Sequence, residues 1–579
     1  LHNPSLKAKN AFTHPQNSID LPRLCSLQFV WLHVDFTCFY ASKIPHFFYV
    51  LSVFKESVMI FKSPFPDVVL PEIPLHDFVL QKAAQFPDKA ALIDGPSGRT
   101  ITYKQLAGGI QMVASNFVKR GLKKGDVVAI YSPNIPEYAV AFHGVIKAGG
   151  TNTTINPLYT VDELTHQLKD AGAKYLITIP LFLPNSLEAA KRANIKEVFV
   201  MGEGEGATPF AAMFQGDGAL PKIDYDVHND IVVMPYSSGT TGLPKGVMLS
   251  HYNLTSNVLQ YSDLEKLNET SVMLAVLPFY HIYAMTGLLN GALAVGGTVV
   301  SVPRFDLEQV LGVIQQYKVT NFFVAPPIML ALAKHPVIDN YDLSSLKIIT
   351  SGAAAMSVPI AEACTERIKC LVKQGYGMTE ASPVTNMNSP SYPVKIASVG
   401  PLVPNMQAKV VDLVTGAELG PNENGELCYR GPNIMKGYLN NPDANASTLK
   451  DGWLHTGDVG YVDEEGYFYV VDRFKEFIKH KGYQVAPAEL EGLLLGHPAI
   501  ADAAVIPVHD EEAGENPKAF IVKRGEISAQ EVMDYIAGKV APYKKIRDVE
   551  FVQEIPKSAS GKILRRVLIE REREKMRQN

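Results

Sequence analysis

From residue 88 onward the chain alternates short apolar runs with amphipathic segments, and this alternation restricts the fold more than any other feature. "KAALID", "VVAIYSP", "KYLITI", "EVFVMG" and "DIVVMPYS" are expected strands, and "EYAVAFHGVIKAG" and "VDELTHQLKDAG" expected helices. Strands separated by helices imply crossover connections and largely parallel sheets. No fixed-period repeat is present. Near residue 400 the texture changes to strands such as "QAKVVD", "GELCYRG" and "GYFYVVDR", divided by the turn signals "NENG" and "DEEG". After "VVDRFKEF" come a helix "APAELEGLLLG" with Pro487 near its start, strands "ADAAVIPV" and "KAFIVKR", a helix "SAQEVMDYIAGKV", a strand "RDVEFVQ" and a charged helical tail. The expected fold is therefore α/β: a large N-terminal domain of layered sheets and helices plus a β region, then a small C-terminal α+β domain. The boundary is placed at Asp472–Lys475, dividing residues 59–472 from 473–579.

Charge narrows the partners. Lys and Arg number 54 against 59 Asp and Glu, a net charge of −5, so no basic surface points to nucleic acid. The 5 cysteines include no CxxC pair, and an odd, scattered set is not a disulfide framework. Residues 1–58 are aromatic and apolar, interrupted by Asp35, Lys43 and Pro45, without clean periodicity or the frame of a signal peptide. They are read as an extraneous or disordered extension before Met59, with membrane association as the alternative. Leu274 to Pro303 contains no charged residue. Pro278, His281, Asn290 and the Gly296-Gly297 pair break it up, so a buried helix near Ala284–Val295 followed by a strand near Thr298–Val302 is expected, not a membrane span. The ending "MRQN" is not a Ser-Lys-Leu type address, and a cytoplasmic protein without a stable membrane anchor is the expectation.

One loop carries the first chemical signal. "SSGTTGLPKG" follows an apolar strand directly and combines hydroxyls, glycines and a lysine. Small residues let the backbone approach a phosphate, hydroxyl and N–H groups donate to its oxygens, and lysine supplies charge. It is not a Walker A loop, because GxxxxGK[ST] is absent. By composition alone a solvent-exposed polar loop is the favoured reading; the ordered sequence after a buried-type strand is what argues against it.

Six ordered segments sharpen the reading. "YSSGTTGLPKGVMLSH" (236–251), "QGYGMTE" (374–380), "GELCYRG" (425–431), "HTGD" (455–458), "VDRFKEFIKHKGYQVAPAELE" (471–491) and "PKSASGKILRR" (556–566) together resemble the adenylate-forming superfamily of acyl-CoA synthetases, adenylation domains and luciferases. The resemblance covers about residues 60–579, and the wording is nearest to 4-coumarate:CoA ligase-like proteins. It implies an ATP-dependent acid:CoA ligase with Mg²⁺, ATP and CoA. A carboxylic acid would be activated as acyl-AMP with release of pyrophosphate, then converted to the CoA thioester. A luciferase-like monooxygenase, or a non-catalytic adenylate-binding relative, is the alternative.

The resemblance also implies roles. Ser237, Ser238, Gly239, Thr240, Thr241, Gly242 and Lys245 would wrap the β- and γ-phosphates. Thr379 would touch the α-phosphate and Glu380 would help hold Mg²⁺. Gly352, Ala353, Gln374 and Gly375 would line the adenine side, and Asp458 and Arg473 would bind the ribose hydroxyls. Lys562 would bridge the substrate carboxylate and the α-phosphate. Lys479 would contact the acyl-adenylate, Arg304, Lys481 and Gly482 would meet CoA, and Lys475 would be the hinge of a mobile small domain. His281, Ile282, Tyr283, Thr286, Pro383 and Val384 would border the acyl pocket. Singly, most have ordinary readings: an Asp in a glycine turn, a capping Thr-Glu pair, a core histidine, a solvated lysine. Thr286 stands where plant relatives usually carry Asn, and Thr385 where an aliphatic residue is common, so a phenylpropanoid-like aryl acid and a medium-chain fatty acid both stay open. No acidic residue lies between Leu277 and Gly287 to pair with an amino-acid ammonium, which favours CoA ligation over amino-acid activation.

Overall fold

A computed structural model of the protein describes residues 59–579 apart from 238–243, 474–475, 482, 511–512, 559–560 and 579. The readings placed on residues 1–58 and on Ser238, Gly239, Thr240, Thr241, Gly242, Lys475 and Gly482 lie outside the described residues.

Two eight-stranded sheets, largely parallel, form the large domain. Val127–Tyr131 is central to the first and buried at every residue, as a strand covered on both faces must be. Its neighbour Thr151–Thr154 reads "TNTT", is also wholly buried, and was not marked as a strand by its hydrophobicity. The threonine hydroxyls are satisfied locally: Thr151 Oγ1 donates to the Ile231 carbonyl at 2.6 Å, Thr153 Oγ1 to Met234 at 3.0 Å and Thr154 Oγ1 to Tyr280 at 2.8 Å. The last bond ties the sheet to the "PFYHIY" segment.

Ile231–Ser237 pairs in parallel with Thr151–Thr154 and then turns back antiparallel as Lys245–Ser250, with Lys245 opposite Ser237. The hydroxyl-rich loop is thus the connection of a hairpin at the end of a buried strand. In the second sheet Ile348–Ser351 lies parallel to Asn321–Val324 and Leu371–Gly377. Their ends lead into the loops at Gly352 and Thr379.

A seven-stranded sheet, chiefly antiparallel, follows, in which Gly425–Arg430, Trp453–Val462 and Phe468–Arg473 are successive neighbours. After Arg473 a five-stranded sheet built from 478–551 carries its own core, with Ile478, Leu490, Val505, Ile521 and Ile536 buried together. Among the described residues no helix is long and apolar enough to cross a membrane.

The apolar stretch after Leu274 differs from its expectation in one respect. Tyr283–Asn290 is a π-helix, continued by a short α-helix Gly291–Ala294 and then the strand Thr298–Ser301. Tyr261 explains the wider turn. Its hydroxyl lies within reach of the carbonyls of Thr286 (2.9 Å) and Gly287 (3.0 Å), giving them an acceptor role outside the helical ladder. A Cβ at Gly291 would lie 1.8 Å from that hydroxyl, so only glycine admits it. π-turns recur at functional sites, and this one begins two residues after His281.

His76, His143 and His251 are buried and neutral in the large domain. Burial pushes His76, His143 and His251 down to about 2, about 3 and about 4, and Lys147 further disfavours charge on His76. An unfolded histidine titrates near 6.5, so below that pH the unfolded chain binds protons the folded chain refuses. Stability is therefore present above about pH 6.5 and is lost as pH falls towards the folded values. At pH 5 the loss is about 2 kcal/mol per fully buried histidine. The melting temperature is expected to fall between pH 7 and pH 5, and His76→Phe to flatten that dependence; an unchanged slope in the variant would remove His76 from the account.

Candidate active site

Glu380 joins the hydroxyl-rich hairpin to the turn that follows Leu371–Gly377. It lies in the 3₁₀ turn Thr379–Ala381, and its Oε1 accepts from Ser237 Oγ at 3.0 Å and from the Tyr438 hydroxyl at 2.8 Å. The Lys245 ammonium sits 4.2 Å from the centre of the same Tyr438 ring, a cation–π contact that fixes the far end of the loop. Ser237, Lys245 and Glu380 are thereby brought together although 143 positions separate Ser237 from Glu380. Tyr438, outside every motif, was missed; its only signal is an aromatic residue in the short strand Gly437–Tyr438 that pairs with the hairpin.

Asp458 and Arg473 meet across paired strands, where they are register partners. The Asp458 carboxylate accepts from the Tyr376 hydroxyl at 2.5 Å and forms an ion pair with Arg473 Nε at 3.3 Å. Burial raises the Asp458 carboxyl, while Arg473 and Tyr376 hold it down. Tyr376 stands inside "QGYGMTE", where the motif gives it no role; its phenol orients the Asp.

Lys562 arrives from the small domain. A tight turn presents it: its N–H donates to Ser558 Oγ at 3.1 Å, and its carbonyl accepts from the Ser558 N–H at 2.8 Å. Gly561, at φ +81°, lets that turn approach the large domain, since a Cβ there would lie 3.0 Å from Ala325 and 3.2 Å from Pro327. Burial, and then the charge of Arg473, lower the Lys562 ammonium to about 8 against the opposing pull of Asp458, Glu476 and Glu380. His281 belongs to the same locus: burial and then Lys562 push it down to about 4, so its imidazole is neutral at neutral pH.

The second-sheet loops close the site. Gly352 packs directly beneath Tyr283, where a Cβ would lie 3.1 Å from the ring, and Ala353 takes φ 70°, a conformation held only by its surroundings. Tyr283 donates to the Thr350 carbonyl at 3.0 Å and stacks on Phe323 with ring centres 5.6 Å apart. Ile282, Thr286, Pro383 and Val384 are buried, and the Thr286 hydroxyl has no partner among the described residues. Gln374 is buried with its amide bonded to the Ile396 carbonyl at 2.6 Å, and the Gly375 backbone packs against the Asn386 carbonyl.

Other expected residues stand apart. Arg304 and Lys479 are exposed, and no hydrogen bond or ion pair among the described residues ties either side chain to the cluster around Lys562. Lys481 is exposed on the turn after Ile478–His480, at φ 48°, beside a groove lined by Tyr483, Tyr543 and Arg547.

Comparison with known proteins agrees with this geometry. Residues 79–439 match the AMP-binding enzyme family, and residues 489–562 match the AMP-binding enzyme C-terminal domain. The chain is 43% identical over 527 residues to a 4-coumarate–CoA ligase of Pinus taeda, covering 89% of this chain and 98% of that one. It is 43% identical over 524 residues to 4-coumarate–CoA ligase 1 of Solanum tuberosum, covering 88% and 96%. Among solved structures it superposes on the anthranilate CoA ligase AuaEII in complex with anthranoyl-AMP, with TM-score 0.81, 29% identity and coverage of 86% and 98%. ATP-bound MatB of Rhodopseudomonas palustris gives TM-score 0.79 at 28% identity, with coverage of 86% and 98%. With this likeness over most of its length, and with a hydroxyl-rich hairpin, a buried Asp–Arg pair and a lysine from the C-terminal region, the chain belongs to the AMP-binding enzyme family, the adenylate-forming enzymes.

Proposed function

We propose that this ATP-dependent acid:CoA ligase takes a phenylpropanoid-like aryl acid as its substrate. The observation that supports the site assignment is the convergence of Lys562 with Asp458 and Arg473, neighbours in one antiparallel sheet, and with Glu380, in the 3₁₀ turn that follows a strand of another. A carboxylate is a poor electrophile until its oxygen is carried on a good leaving group. In the first step its oxygen attacks the α-phosphorus of ATP and pyrophosphate leaves. In the second the CoA thiol attacks the acyl carbon and AMP leaves.

Charge governs the first step, because an anionic acid must approach a triphosphate. Lys562 lies between acid and α-phosphate and stabilises the charge of the five-coordinate transition state. Asp458, oriented by Tyr376 and Arg473, accepts from the ribose hydroxyls. The hairpin from Ser237 to Lys245 holds the β- and γ-phosphates, Thr379 reaches the α-phosphate, and Gly352, Ala353, Gln374 and Gly375 flank the base. Neutral His281 closes the acyl side without opposing the Lys562 charge.

Glu380 fits a magnesium ion. It is a hard oxygen donor whose two hydrogen bonds both fall on Oε1, next to the phosphate hairpin. Bound there, Mg²⁺ would supply charge neutralisation to the phosphates. The small domain is taken to begin after Arg473 and to turn about Lys475, presenting Lys479, Lys481 and Gly482 for the second step, with Arg304 meeting CoA from the large domain. An aryl acid is favoured by the stacked Tyr283–Phe323 wall beside Gly352 and by the relatives that carry the name 4-coumarate–CoA ligase.

Three results are expected. Lys562→Ala lowers acid-dependent ATP–pyrophosphate exchange by about a hundredfold or more, while thioester formation from supplied acyl-adenylate changes only a few-fold; equal loss of both would count against the assignment. The kcat/KM for adenylation falls as pH rises through about 8, where the free-enzyme Lys562 loses its proton, and Lys562→Arg moves that falling limb upward. In a panel of acids scored by pyrophosphate release with and without CoA, hydroxycinnamates outrun octanoate; the reverse order would replace the aryl reading with a fatty-acid one.

A further inference from the structure

We propose that Glu426, Cys428 and His455 form an inhibitory site for a borderline-soft divalent cation of the zinc class, separate from the magnesium position at Glu380. Gly425–Arg430 and Trp453–Val462 are antiparallel neighbours, and Cys428 lies opposite His455. Glu426, two residues before Cys428, shares its face of the sheet. One donor atom from each converges: His455 Nδ1 is 3.3 Å from Cys428 Sγ and 2.7 Å from Glu426 Oε2, and all three lie within 4.8 Å of one another. Cys428 is fully buried, whereas the side chains of His455 and Glu426 are 18% and 21% exposed, so water reaches one side.

Protons satisfy this trio badly. The same ring nitrogen faces both the thiol and the carboxylate, and it carries either a hydrogen or a lone pair, not both. If Nδ1–H donates to Glu426, the thiol retains only the Glu426 carbonyl, 3.9 Å away. If Nδ1 accepts from the thiol, its lone pair faces an anionic oxygen at 2.7 Å. A divalent cation removes the conflict. The thiol proton leaves to solvent, the imidazole keeps its proton on Nε2, and thiolate plus carboxylate neutralise the metal charge. The fourth position of a tetrahedral ion then falls on the exposed side, for water. A sulfur, nitrogen and oxygen set discriminates against magnesium and calcium, which take oxygen ligands.

Inhibition follows from what else Glu426 holds. Its Oε1 accepts the Gly457 N–H at 2.9 Å, and Gly457 precedes Asp458. Thr456 completes the turn, donating to the Leu427 carbonyl at 2.7 Å and accepting from the Asp458 N–H at 3.0 Å. Tetrahedral zinc separates a nitrogen and an oxygen ligand by about 3.3 Å. Filling the site therefore moves Glu426 and His455 apart by roughly half an ångström and drags the turn that sets Asp458 against Tyr376 and Arg473.

The test is a titration of the chelator-treated full-length protein with cobalt(II), zinc's optical stand-in. One equivalent is expected to produce a thiolate-to-cobalt charge-transfer band in the near ultraviolet. The band should vanish in Cys428→Ser, and the solvent-side variant His455→Gln should bind cobalt at least about tenfold more weakly. One equivalent of zinc should suppress pyrophosphate exchange in the wild type at saturating magnesium, and leave Cys428→Ser at its own metal-free rate. No band in the wild type, a band that survives in Cys428→Ser, or full exchange activity with the site filled would each overturn the proposal. Should Cys428→Ser fail to fold, the wild-type band together with its loss of affinity in His455→Gln decides the matter.

Discussion

Removing the Lys562 ammonium from water is unfavourable, and much of the site is the arrangement that offsets it. Burial and Arg473 push the lysine towards neutrality, and the carboxylates of Asp458, Glu476 and Glu380 pull it back. The balance leaves a cation at neutral pH whose charge is little screened by solvent. Two of these carboxylates are in turn held by their neighbours. Tyr376 and Arg473 hold Asp458, and Tyr438 and Ser237 hold Glu380. The lysine itself depends on Gly561, because a side chain at that position would push the turn away from Ala325 and Pro327.

Buried polar contacts tie the scaffold to this charge cluster. Thr154 anchors the segment that carries His281, Tyr261 takes the carbonyls released by the π-turn, and Tyr283 fastens that turn to the strand ending at Ser351. Such bonds have direction, and side chains that must meet an ordered transition state need direction as well as burial.

Much of the fold was legible in the sequence. The strands Val127–Tyr131 and Ile231–Ser237, the helix Pro136–Lys147 and the strand and helix order after Arg473 follow from period and composition. Thr151–Thr154 was not legible, because its hydroxyls are buried only when neighbouring strands supply carbonyls. The π-turn was not legible either, since its cause, Tyr261, lies on another helix. Of the site, the motif residues were legible as chemical types, but their partners Tyr376 and Tyr438 were not, and neither was the meeting of Glu426, Cys428 and His455. All of these depend on strand register.

By itself, then, the sequence determined the layered α/β scheme, the hydroxyl- and glycine-rich connection that follows a buried strand, and a C-terminal run of alternating strands and helices carrying its own lysine. These are properties of local pattern and of residue order. Only the tertiary structure decided which charges meet. Coulomb energies and hydrogen bonds depend on distance and burial, and Ser237, Glu380, Asp458 and Lys562 acquire those only when strands far apart along the chain lie side by side.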